Sequence, residues 1–139
     1  MQSLREQHGL AVAVDAGFSP LAGAGAVLIT AQVEPANLAP AEARIIDEIR
    51  RVRDTGVTAA ELRRAITKAE AAHEFETETA QGRAVALGRA ETIWTIEDEL
   101  AYVSRLRSVS AEQVRAVAVR YLDPVRYTRL ALVPPSRPQ

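Results

Sequence analysis

The chain contains no cysteine. That excludes a disulfide framework, a thiolate nucleophile and any sulfur ligand for a metal. Histidine occurs only as His8 and His73. A zinc site usually draws at least two ligands from positions close in sequence, and neither histidine has a second one near it. Aromatic residues make up 4% of the chain, too few for a surface that stacks on bases. The net charge of -1 gives no pull toward nucleic acid or an anionic membrane. Among 17 basic residues Lys68 is the only lysine. With the many alanines, that bias reflects GC-rich coding rather than a phosphate-binding surface. The longest apolar run, residues 21–33, is broken by Gly23 and Gly25 and is too short to span a bilayer. Those glycines precede a strand, whereas a phosphate loop opens a helix. Ser19, Thr30 and Ser110 have no histidine or aspartate at a useful spacing, so no nucleophilic triad is readable. No signal-peptide pattern opens the chain.

What is present suits one globular domain over residues 1–139. A chain of this length buries roughly two thirds of its unfolded surface. Hydrophobic content of 47% and charged content of 25% are ordinary.

The organising stretch is Leu4 to Val14. Leu4 to His8 read as the last turn of a helix. Gly9 sits where a helix stop needs positive φ. Leu10, Val12 and Val14 then alternate with Ala11, Ala13 and Asp15, the two-residue period of a strand, and fill its inner face. Phe18 to Gly23 is rich in breakers and predicts a turn. Residues 24–33 predict a second strand, with Val27, Ile29, Ala31 and Val33 on its apolar face. Two strands so close in sequence predict an antiparallel pair.

Pro40 suits a first helical turn, and the helix it opens places Ile45, Ile49 and Val52 on one stripe. Gly56 stops it. Thr58 and Glu61 form a capping box for a long helix whose inner stripe is Leu62, Ile66, Ala69 and Ala72 or His73. Gly82 or Gly88 is the expected kink or end. Thr95 caps a shorter helix with Ile96, Leu100 and Val103 inward. Ser110 and Gln113 form another capping box, backed by Val114, Val117, Ala118 and Tyr121. Residues 128–133 predict a last strand, ended by Pro134 and Pro135. Strands, then helices, then a strand predict an α+β fold: a mostly antiparallel sheet with a layer of helices on one face.

Few side chains carry chemistry. His73 reads as a half-buried histidine on a helix flank. Glu70, Glu74 and Glu78 lie four apart on one face and read as solvated, since acid–base work would need them buried together. No catalytic and no metal-ligating residue is assigned. Arg5 is the one candidate binding residue. It offers a fork of donors for a peptide carbonyl or carboxylate, or it is a cation on a helix end paired with the dipole or Glu6.

Three blocks, in order, also resemble a known family. They are Leu4-Arg5-Glu6-Gln7-His8-Gly9-Leu10-Ala11-Val12-Ala13-Val14, then Thr55 to Ala65, then Val109 to Val114 followed by Ala118 to Leu122. Together they are similar to the C-terminal half-domain of the insulinase/pitrilysin metallopeptidases, which include the mitochondrial processing peptidase. The resemblance implies a sheet backed by helices and a clamshell-shaped parent. In such a parent the other half-domain holds zinc through His-x-x-Glu-His, a motif absent from this chain. The half seen here would close the chamber and help bind an extended peptide along a sheet edge, with Arg5 on the substrate. By itself it would hold no cofactor and cut nothing. In the family a tyrosine stands seven residues after the matched arginine; here that position is Val12.

The resemblance implies as partners the zinc-bearing N-terminal half or a separate chain carrying it. The chain opens inside a motif, so it is expected to be an N-terminally truncated fragment with an open sheet edge, and to form a homodimer. A catalytically inactive family member, acting as a structural or partner subunit, is the alternative. A helical interaction module without an enzymatic parent is a third reading.

Overall fold

The computed structural model describes residues 9–133. Strand β1 spans Ala13–Leu21 and β2 spans Ala24–Gln32, an antiparallel hairpin in register from Ala13 opposite Gln32 to Leu21 opposite Ala24. The turn is only Ala22-Gly23, with Gly23 at φ 73°. So Phe18, Ser19 and Pro20, expected in a turn, belong to the ladder. The tight turn allows this, because one glycine at positive φ reverses the chain. Gly25 lets the Phe18 ring lie across its neighbour: a Cβ there would sit 2.5 Å from Phe18 Cζ.

A single 3-10 turn, Pro35–Asn37, leads into α1 (Leu38–Thr55). Ile45, Ile49 and Val52 are half-buried on its stripe, as the period predicts. The base of the hairpin rests on this helix, where Ala11 packs on Ala41 among Leu10, Val14, Val33 and Ile45. Val12 instead lies outside β1 and is 63% exposed, although its N–H donates to the Gln32 carbonyl at 2.8 Å. Alternation put Val12 inside with Leu10 and Val14; a bend at Val12, just before β1, interrupts the two-residue period there.

Gly56, at φ 76°, ends α1 by donating to the Val52 carbonyl. Helix α2 (Ala59–Thr77) follows behind the predicted capping box: Glu61 N–H donates to Thr58 Oγ1 at 3.2 Å, and Thr58 N–H to Glu61 Oε2 at 2.7 Å. It breaks at Glu78, earlier than either glycine. Thr79 caps α3 (Ala80–Ile93) by accepting from Gly82 N–H at 3.0 Å, and Arg83 Nε donates to the Thr77 carbonyl at 2.9 Å. Two local bonds at the junction therefore decide where the helix ends. Gly82 marks a close backbone approach rather than a stop.

Thr95 caps α4 (Ile96–Leu100), which passes through Ala101 into α5 (Tyr102–Arg107). Ile96 and Val103 are partly buried as expected, but Leu100 faces out. Ser110 and Gln113 form the second capping box, on α6 (Ala111–Tyr121). Of its expected stripe, Ala118 is buried and Val114 half-buried, while Val117 and Tyr121 are exposed.

Helix α6 is bound to α1 by arginines. Arg53 Nη1 donates to the carbonyls of Ala118, Val119 and Leu122, and Arg115 Nε donates back to the Arg53 carbonyl at 3.0 Å. Residues 128–133 form no strand: none joins a ladder. The chain there is tied by side chains, through Tyr127 Oη and Arg129 Nη1 on the Glu42 carboxylate at 2.8 and 2.7 Å. The architecture is α+β, a hairpin and six α-helices among the described residues.

The two helical glycines should respond to alanine with opposite signs. A Cβ at Gly82 would fall 1.8 Å from the Glu76 carbonyl oxygen, whereas one at Gly88 meets nothing within 4 Å. Gly82→Ala is expected to cost about 1–3 kcal/mol by forcing the α2–α3 junction apart. Gly88→Ala is expected to add about 0.5–1 kcal/mol by removing unfolded-state freedom. Urea unfolding of both variants checks this.

Candidate functional site

Arg5, the candidate substrate contact, lies outside the described residues, as does His8. The described residues begin at Gly9. Gly9 has φ 57°, the left-handed conformation expected there. The chain then enters the hairpin beside exposed Val12.

The hairpin is the only sheet among the described residues, so both of its outer edges lack a neighbouring strand. The edges differ. β1 carries Asp15 and Pro20, and charge and proline both blunt an edge against pairing. β2 carries neither over nine residues. Its edge presents free backbone donors and acceptors between uncharged side chains, the arrangement that receives an extended peptide.

Sequence reasoning did not find a second cluster, between α2, α3 and α4. Glu99 is 9% exposed. Its Oε2 accepts from Trp94 Nε1 at 3.3 Å, and its Oε1 lies 3.9 Å from His73 Nδ1 with no hydrogen bond. The His73 ring in turn packs on Tyr102, centroids 4.8 Å apart. A cavity of about 670 Å3 opens beside them, between Phe75, Leu87, Leu100 and Glu74. Nothing in the local pattern marked Glu99. It sits in an acidic first helical turn, where a carboxylate normally faces water and favours the dipole. It is buried where α4 packs on α3, between Trp94 and the His73 side chain of α2.

Glu70 and Glu74 of α2 and Glu78 just beyond it do not act together. Glu70 accepts from Arg107 Nε at 2.6 Å, while Glu74 and Glu78 are exposed. Among the described residues no three His, Asp or Glu side chains group to hold a metal. The zinc implied by the resemblance therefore has no fit in the residues described.

In the second block, Arg51 joins the two helices on either side of Gly56. Its Nε reaches Glu48 at 2.9 Å and its Nη2 reaches Glu61 at 3.0 Å. Glu48, ahead of Glu61, holds the guanidinium above its ordinary pKa. The Thr58 backbone N–H, followed by the Thr58 hydroxyl and Arg51, holds the Glu61 carboxyl below the ordinary range, against a smaller effect of burial. On the C-terminal segment, the Glu42 carboxylate that accepts from Tyr127 pushes the phenol up.

Comparison with known proteins agrees with this reading. Residues 1–69 match the family described as the Peptidase M16 inactive domain. A solved structure, the inactive peptidase domain of a candidate zinc protease from Bordetella parapertussis, superposes with a TM-score of 0.79. The two are 22% identical, and the match covers 93% of this chain and 70% of that one. No curated protein sequence matches. The fold is that of an inactive metallopeptidase domain. The chain belongs to the M16 peptidase family, as its C-terminal, inactive-type domain. No helix among the described residues is long and apolar enough to cross a membrane.

The Glu61 environment sets a sign for pH dependence. Because the folded carboxyl titrates below its unfolded value, it contributes stability above about pH 4.3 that is lost as pH falls through the folded value. Glu61→Gln should therefore flatten the acid side of the stability curve below that pH. Urea midpoints of both proteins at pH 6 and pH 3 measure it; equal losses on acidification would show that Glu61 is not involved.

Proposed function

We propose that this domain is the substrate-side, chamber-closing half of a zinc metalloendopeptidase, with no catalysis of its own. The observation that carries the reading is the free, uncharged edge of β2 in a chain of this family. An extended peptide adds to such an edge through main-chain hydrogen bonds, and its alternate side chains are read by neighbouring surfaces. Arg5 is the second contact, its guanidinium fork meeting a carbonyl or carboxylate of the peptide.

On this reading the partners are a zinc-bearing N-terminal half or chain, an extended peptide and a second copy of this chain. Zinc belongs to the other half, where it would lower the pKa of a bound water. The role of this chain is to hold the peptide and exclude solvent.

A second reading has a specific observation in its favour. Val12 stands where the family carries a tyrosine, and it is exposed rather than packed inside. Without that hydroxyl the substrate pair is incomplete, which suits an inactive subunit that supports an active partner.

Both readings predict that the purified chain hydrolyses no peptide and retains no stoichiometric zinc after dialysis. They part when a zinc-bearing half is added. As a substrate-binding half, the chain should restore cleavage, and Arg5→Ala should raise KM by about tenfold, the loss of one charge-assisted contact. As a support subunit, it should restore cleavage with KM unchanged by Arg5→Ala. Zinc bound by this chain and lost on His73→Ala would overturn both.

A further inference from the structure

Two uncharged, exposed stretches complement each other.

One is β2. Its nine residues hold no charge and no proline, and Val27 and Leu28 are exposed on opposite faces. The other is the segment after Arg129. Leu130 and Leu132 are 85% and 92% exposed, and Val133 is exposed beside them. Residues 130–133 carry no charge, alternate in size, and join no ladder. One element lacks a strand and the other is a strand without a sheet. Both leave the same helix: the hairpin base rests on Ala41 and Ile45, and Tyr127 and Arg129 are anchored on Glu42. Even so, they do not pair within one chain.

We propose that Leu130–Val133 of one copy adds as a strand to the free edge of β2 in a second copy, and that the exchange is reciprocal. Two-fold symmetry uses each segment and each edge once, so the assembly closes as a dimer. No charge is buried on either side, so no desolvation penalty opposes it. The Glu42 anchor holds the segment up to Arg129 and leaves the following residues free to extend. Pro134 and Pro135 limit the added strand. The dimer would occupy the same edge assigned above to a peptide, so self-pairing and peptide binding would compete. The edge is shared with that reading, but the test below needs no enzymatic activity and stands apart from it.

Light scattering of the full chain across 1–100 µM should give twice the chain mass. Leu132→Pro removes a backbone donor from the segment, and Leu28→Lys places a charge on the β2 edge. Each should weaken association by tenfold or more, with helical circular dichroism unchanged because both positions are exposed. The two variants are complementary: one retains its edge, the other its segment. Mixed one to one, they should recover dimer mass at concentrations where each is monomeric alone. A wild-type monomer at 100 µM would overturn the proposal. So would a dimer unaffected by both substitutions, a mixture that stays monomeric, or open-ended growth. If Leu132→Pro loses helical signal, Leu130→Pro takes its place under the same criteria.

Discussion

The guanidinium of Arg53 fastens α6 to α1. A helix ends with carbonyls that have no partner in the helix, and the negative end of its dipole adds to their demand for a donor. Arg53 Nη1 reaches the carbonyls of Ala118, Val119 and the cap residue Leu122 at the end of α6, the closest being Leu122 at 2.7 Å. Arg115 returns a bond to the Arg53 carbonyl near the end of α1. Two helices widely separated in sequence are thus joined end to end by charge-assisted bonds, each stronger than a neutral one. The chain continues from α6 to the Glu42 anchor on α1. The position of the C-terminal segment therefore depends on this joint.

Such polar fastening matters because the buried core is slight. The fully buried apolar side chains among the described residues are alanines: Ala11, Ala41, Ala86, Ala90 and Ala118. A buried methylene contributes only about 0.8 kcal/mol, so these methyls supply far less than a core of leucines would. Their value is geometric. Small side chains let helix and hairpin backbones approach closely. The larger apolar side chains, among them Phe18, Phe75, Leu100 and Leu132, stay at the surface. A fold that packs on alanine and exposes about half of its leucines has surface for a partner. That is consistent with a domain that works against another chain or another half of the same protein.

The site readings follow from the same division. The candidate features are an edge, an arginine and a buried carboxylate. The β2 edge is open because no second strand besides β1 pairs with it among the described residues. Glu99 is buried because α4 packs on α3, and its Oε1 faces His73 without a hydrogen bond. Each is a consequence of how few layers the described residues build.

Local signals in the sequence determined the parts that depend on neighbours a few residues away. Gly56 stops α1, and Gly9 likewise takes positive φ, because that conformation is cheap only for glycine. Thr58 with Glu61, and Ser110 with Gln113, open helices because their side chains satisfy backbone donors three residues apart. The antiparallel hairpin, the stripe of α1 and the family were legible for the same reason, since short-range periodicity and motif order carry them. Tertiary structure decided everything that required knowing what lies opposite. Alternation placed Val12 inside, but no layer covers it. Residues 128–133 have a strand's pattern, but a strand needs a partner, and side chains on Glu42 hold the segment instead. The long helix broke at Glu78 rather than at a glycine, because Arg83 and Thr79 satisfy the backbone there. A pattern specifies which residues can be buried; only the neighbouring element determines whether they are.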